Sequence, residues 1–152
     1  MNARKFQLKL FTASAGPLAV DAIVPVLHGW IRDRAIPELL IDVTDYDHVH
    51  HGPSVLVVGH ESDYVLDQAG GRPGLILSRK REFPGDAAAT LRDALRRLLT
   101  AASLLEAAPT LGGLRFRTDE LEIRVNDRLA APPTDAAFAE LSALVGSVLL
   151  PA

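Results

Sequence analysis

A chain of 152 residues without a cysteine has the length of one ordinary domain, and it cannot hold a disulfide, a thiolate metal site or a cysteine nucleophile. Apolar residues make up 48% of the chain and charged residues 23%, a globular balance that excludes disorder over long stretches. The net charge of −3 argues against a dedicated nucleic-acid binder, which usually carries an excess of basic residues.

The first half of the chain predicts one helix among short strands. Residues 5–11 alternate between apolar and polar side chains, which is the period of a half-buried strand. A helix is expected from about residue 25 to 35, with Pro25 in its first turn and Pro37 ending it. Four more strands follow, the last two joined by a glycine-rich hairpin turn. They are predicted at residues 39–43, 54–59, 64–67 and 75–78.

The most regular helical pattern of the chain covers residues 86–106. Apolar residues recur there at helical spacing, so Leu95 and Leu98 are expected on a buried stripe. Charged side chains are expected to cover the opposite face of this helix. They are Arg92, Asp93, Arg96 and Arg97.

The end of the chain predicts a second hairpin and a last helix. The hairpin comprises residues 114–116 and 121–125 and turns at residues 118–119, and the helix runs from about 135 to 150. Strands therefore follow one another instead of alternating strictly with helices. This order favours an α+β fold, with a mixed or mostly antiparallel sheet of about six to seven strands and about three helices packed on one face. We expect residues 1–152 to form one such domain.

Charge is distributed unevenly along the chain. Residues 35–71 hold seven acids, four of the five histidines and no Lys or Arg, whereas residues 72–97 hold seven bases against three acids. One interpretation is that the two segments are neighbours in the fold and neutralise each other. The other is that the acidic segment forms a face that binds a cation or a partner.

Several stretches of the chain resemble an uncharacterised family of small single-domain bacterial proteins. The resemblance is carried by Ile41–Val49, by Gly52-Pro53, by Val58–Glu61, by Trp30-Ile31 and by Asn126–Pro132. It spans most of the chain and implies a one-domain bacterial protein. It implies no particular activity and no catalytic residue.

Histidines and carboxylates concentrate in segment 42–67. With no thiolate in the chain, these are the ligands that a divalent transition metal would use. The candidate ligands are His48, His50, His60, Asp45, Asp47 and Glu61. Two alternatives stay open: a solvated polar loop with incidental histidines, or acid–base use of His60 beside Glu61 or Asp63.

A basic group follows the acidic segment. Arg79, Lys80 and Arg81 are consecutive, and Arg128 closes a predicted strand further on. These four side chains are candidates for contact with an anion or with a partner. Pairing with the acidic segment is the alternative, and nucleic acid is not the expected partner because the chain is acidic and has one aromatic residue near this group, Phe83.

No complete catalytic motif occurs in the chain. It contains neither a Gly-x-Ser-x-Gly elbow nor a phosphate-binding glycine loop. The N-terminal residues have no apolar run typical of a signal peptide, and no window approaches the ~18 uncharged apolar residues of a membrane span. We therefore expect a soluble cytoplasmic protein without a membrane partner.

The absence of such a motif favours a non-enzymatic binding or accessory module that acts through a protein partner or as a homo-oligomer. The predicted last helix has a wide apolar face that would suit such an interface. The alternative function is a metal-dependent enzyme or a metal-binding protein that uses segment 42–67.

Overall fold

The computed structural model of the chain describes residues 1–14, 16–49 and 54–150. These residues form three α-helices and a single six-stranded sheet in which every neighbouring pair is antiparallel, so the predicted α+β fold is confirmed. The strand order is β2-β3-β4-β5-β1-β6. The elements are β1 (Phe6–Thr12), α1 (Val20–Asp33), β2 (Leu40–Asp45), β3 (Val55–Gly59), β4 (Ser62–Asp67), β5 (Gly74–Arg79), α2 (Ala87–Ala107), β6 (Phe116–Val125) and α3 (Asp135–Leu149).

One face of the sheet forms the core beneath the helices. Because side chains alternate along a strand, residues in register across neighbouring strands share this face, as Val57, Tyr64, Leu77 and Leu8 do. All four are buried. Trp30 of α1 meets the Tyr64 ring edge to face, with the ring centroids 6.5 Å apart.

Long side chains cover part of the opposite face. Lys9 and Phe11 alternate with the core residues of β1, yet both are buried. The Lys9 ammonium pairs with Asp67 at 2.6 Å, and the Arg72 guanidinium stacks 3.8 Å from the centroid of the Phe11 ring. The aliphatic stems of such residues shield apolar surface while their charged ends reach polar partners. None of the helices in the described ranges is long and apolar enough to cross a membrane.

Helix α1 begins earlier than its sequence predicts. It starts at Val20, so Pro25 lies in the second turn and not in the first. Ile23 is buried on the same stripe as Leu27 and Trp30, at the spacing i, i+4 and i+7. This extra turn of buried surface extends the helix toward the N-terminus, and the proline signal alone placed its start too late.

The predicted second hairpin is wrong. Residues 116–125 form the single strand β6, which pairs with β1 from end to end, as Val125 does with Phe6, Leu121 with Leu10 and Phe116 with Thr12. Between the last two of these pairs, four residues of β6 lie opposite one residue of β1, and a bulge takes up the extra length. Arg117 pairs with Asp119 inside this bulge at 2.9 Å, so the polar residues that suggested a turn belong to an irregular strand.

Candidate functional site

The candidate metal ligands lie at two separate places. His60 and Glu61 follow the end of β3, whereas Asp45, Asp47 and His48 lie at and beyond the end of β2. Because β2 and β3 are antiparallel, the end of β2 and the end of β3 lie at opposite ends of this strand pair. A rise of about 3.3 Å per residue over five residues separates them by roughly 16 Å. The two groups therefore do not form one site.

The candidate ligand His50 lies outside the described residues. In the parts of the chain that the structure describes, no cluster of three or more His, Asp or Glu side chains could hold a metal ion. Asp45 uses one carboxylate oxygen locally, accepting a hydrogen bond from the Asp47 backbone N–H at 2.8 Å. Metal binding by Asp45, Asp47, His48 and His50 stays a prediction from the sequence.

Elemental analysis tests the metal hypothesis directly. Because His48 and His60 are too far apart to share one ion, any stoichiometric transition metal in protein purified without a histidine tag or a chelator should be lost in at most one of the matched variants His48→Ala and His60→Ala. Loss with His48→Ala alone would place a site at the end of β2. A metal that is lost in both variants would contradict the separation of the two groups.

A cluster of buried charges lies where α2 crosses the end of the sheet that carries the β3–β4 turn. Five side chains form this charged cluster, and they come from the α1–β2 loop, the β3–β4 turn, the end of β5 and α2. They are Glu38, Glu61, Arg79, Asp93 and Arg97. All but Glu61 have side chains that are nine-tenths or more buried.

The Glu38 carboxylate is the most enclosed member of the charged cluster. One oxygen accepts hydrogen bonds from the backbone N–H groups of Glu61 at 2.8 Å and Ser62 at 3.0 Å. The other accepts from the Tyr64 hydroxyl at 2.6 Å and from Arg97 at 3.1 Å. Four donors thus replace the water that this buried carboxylate has lost.

The two arginines bridge the remaining carboxylates. One oxygen of Asp93 accepts from Arg79 at 2.8 Å and from Arg97 at 2.9 Å. One oxygen of Glu61 accepts from Arg97 at 2.8 Å and lies 3.3 Å from Arg79. Each carboxylate of the cluster pairs with at least one arginine, and these ion pairs join four parts of the chain.

Gly59 makes room for this arrangement. A Cβ atom at this position would lie 2.7 Å from a carboxylate oxygen of Glu38 and would also clash with the Ser62 carbonyl. Only glycine lets the backbone approach the buried carboxylate so closely. In the described structure the Ser62 hydroxyl is buried and has no hydrogen-bond partner.

The basic group predicted to contact an anion is largely used inside the fold. Arg79 is buried in the charged cluster, Lys80 pairs with Asp63 at 2.7 Å, and Arg81 donates to the His60 carbonyl at 3.1 Å. The ion pairs of Lys80 with Asp63 and of Arg79 with Glu61 show that these parts of the acidic and basic segments are neighbours. Arg128 is exposed on the connection between β6 and α3.

Sequence reasoning placed two members of the charged cluster wrongly and missed a third. Asp93 and Arg97 were expected on the solvent-facing side of α2, but both are buried. The signal that could have found them is their i, i+4 spacing, which suits an ion pair within a helix. Glu38 had no local signal, because its partner Arg97 is 59 residues away in the sequence.

Burial raises the pKa of the Tyr64 phenol well above its ordinary value, and the hydrogen bond to the Glu38 carboxylate raises it further. The phenol therefore stays protonated and donates to Glu38 under conditions in which an unfolded tyrosine has already ionised. A raised folded-state pKa contributes stability below the unfolded pKa of about 10, and this contribution is lost as the pH rises above that value.

Tyr64→Phe should lower the free energy of unfolding at neutral pH by about 1.5–3 kcal/mol, because it removes a hydrogen bond to a charged acceptor. The difference from wild type should shrink as the pH rises from neutral to beyond about 10. Denaturant melts of both proteins at several pH values measure it. A constant difference across this range would mean that the Tyr64 pKa is not raised by folding.

A second feature, on the outer side of the helices, has few polar groups. Helix α3 contains 15 residues, and none of them is buried. Phe138 is 71% exposed and Leu150, at its C-cap, is 80% exposed, while Leu99 on the neighbouring helix α2 is 54% exposed. We call the exposed parts of α2 and α3 the outer helix surface.

Open spaces flank α3 on this outer helix surface. A cavity of about 580 Å³ lies between α2, β6 and the end of α3, lined by Leu98, Leu99, Phe116 and Leu149 among others. A groove of about 790 Å³ runs along α2 on its outer side.

Comparisons with protein-family models, with curated proteins and with solved structures found no match to this chain.

Proposed function

We propose that the chain is a small cytoplasmic, non-enzymatic interaction module that works as a homo-oligomer joined through the outer helix surface. One observation carries the proposal: none of the 15 residues of the apolar helix α3 is fully buried, and Phe138 is 71% exposed, Leu149 44% and Leu150 80%. On the other side of the helix, four residues pack partly against the core: Leu141, Leu144, Val145 and Val148. Exposed apolar surface on this scale costs free energy in water and marks an interface in many proteins.

Few polar side chains of α3 depend on water for their hydrogen bonds. The Ser142 hydroxyl donates to the Phe138 carbonyl at 2.9 Å, and the Ser147 hydroxyl donates to the Leu144 carbonyl at 2.7 Å. The charged residues of the helix are Asp135 and Glu140. Covering such a surface with another helix therefore leaves few polar groups unsatisfied.

The two edges of the sheet are less suited to association. At edge strand β2, exposed Ile41 is followed by Asp42, whose carboxylate accepts a hydrogen bond from the Val43 N–H at 2.8 Å. Edge strand β6 carries charged side chains, with Arg124 paired to Glu122 at 2.6 Å. Charges and occupied backbone groups discourage the addition of a further strand, which leaves the outer helix surface as the best candidate.

The proposal is tested by sedimentation velocity over a range of concentrations. We expect the wild-type chain to form a dimer, and we expect Phe138→Lys to be monomeric because it replaces a large exposed apolar side chain of α3 by a charge. Leu129→Lys is the control, since Leu129 is 99% exposed and lies on the connection before α3. A wild-type chain that is monomeric at every concentration would refute the proposal.

A further inference from the structure

We infer that the partner seated on the outer helix surface is a second copy of this chain, whose α3 lies in the groove of α2 with its Asp135 end beside Arg92 and Arg96. This inference rests on the proposed function and adds the contact surfaces, their direction and the ion pairs that fix it.

The groove has the dimensions of the helix proposed to fill it. It follows one stripe of α2 from Arg92 through Leu95, Leu99 and Ser103 to Ala107. At about 1.5 Å per residue this stripe is about 22 Å long, and the 15 residues of α3 have the same length. The spacing of three to four residues between stripe positions is that of a helix face that receives another helix.

The charges of the two surfaces are complementary. The charged residues lining the groove are Arg92 and Arg96, and within the described ranges neither has a carboxylate within ion-pair distance. Helix α3 carries acids and no bases. Its Glu140 pairs with the Met1 amino group at 2.8 Å, so Asp135 at the first turn is the acid available to the groove. A second α3 therefore supplies a carboxylate that can pair with the two arginines.

This complementarity also sets the direction and the symmetry. With Asp135 beside Arg92 and Arg96, the incoming helix runs parallel to α2, and its apolar C-terminal half lies along Leu99 and Ser103. Val148 of the receiving chain's own α3 also lines the groove. When each copy lays its α3 in the other's groove, the contact is the same on both sides, which is the isologous interface of a closed two-fold dimer.

A charge swap tests the inference. Arg92→Glu with Arg96→Glu, and separately Asp135→Arg, should each raise the dimer dissociation constant about tenfold or more by placing like charges together. Combining all three substitutions should restore it to near the wild-type value. Arg92 and Arg96 are exposed in the single chain, so the variants should keep the wild-type circular dichroism spectrum, and sedimentation velocity gives the dissociation constants.

The outcomes separate this inference from the proposed function. If wild type dimerises and Phe138→Lys does not, but the charge variants dimerise like wild type, the groove pairing is refuted and the association through α3 stands. If the Arg92→Glu/Arg96→Glu variant and the Asp135→Arg variant both dimerise more weakly, and the triple variant does not regain the wild-type dissociation constant, the pairing of Asp135 with the two arginines is also refuted. If wild type is a monomer throughout, both fail.

Discussion

Replacing Leu98 by Ala should lower the free energy of unfolding by about 2–5 kcal/mol, the range for deleting a buried leucine side chain and leaving a void. The Leu98 side chain is 0% exposed in the core that α2 forms with the sheet. Native domains have only about 5–15 kcal/mol of stability in total. The variant should therefore unfold at a much lower denaturant concentration than wild type.

Equilibrium denaturant melts measure the effect, and Leu129→Ala is the matched control. Leu129 is 99% exposed, so the same chemical change there should alter the free energy of unfolding by less than about 0.5 kcal/mol. Equal losses for the two variants would contradict the burial of Leu98.

The burial of Leu95 differs from the one expected from the sequence. Both Leu95 and Leu98 were expected to be buried, but Leu95 is only half-buried and lines both the cavity and the groove, which adjoin the C-terminal end of α3. Leu95→Ala should therefore cost less than Leu98→Ala. The helical period correctly gives the apolar side of α2, but where that side meets open space depends on how loosely α3 covers it.

The pattern of strands was predictable because it depends on local signals. The turn at residues 70–74 joins β4 to β5 as expected, and the alternation of residues 5–11 matches β1. Strand β6 was mistaken for a hairpin because the polar residues at 118–119 resemble a turn, while its bulge depends on pairing with β1 more than 100 residues earlier. Pairing over such distances leaves no mark in a short sequence window.

The charged cluster was only half predictable for the same reason. Their opposite charges made it one of two open interpretations that the acidic and basic segments are neighbours. That Arg97 would be buried did not follow from the sequence, because a charged residue on a helix is exposed by default. Only the fold brings Glu38 and Glu61 to Arg97, from 59 and 36 residues away. The histidines illustrate the opposite error, since closeness in sequence suggested a common site for residues at opposite ends of two strands.

The second large effect is expected at Glu38. Glu38→Ala should cost about 3–5 kcal/mol, the range for removing one partner of a buried ion pair. The loss is large because the variant leaves the Arg97 guanidinium without one of its anions and leaves the backbone N–H groups of Glu61 and Ser62 without an acceptor. Such groups are costly to bury unpaired.

Two further variants show which part of this loss is electrostatic. Glu38→Gln keeps an oxygen that can accept from Tyr64 and removes the charge facing Arg97, so its loss should be smaller than that of Glu38→Ala. Asp33→Ala removes an exposed ion pair with Arg32 and should leave the denaturation midpoint unchanged, since solvent-exposed pairs contribute little. If Glu38→Ala were as harmless as Asp33→Ala in the same melts, the charged cluster would not fasten the four parts of the chain that it joins.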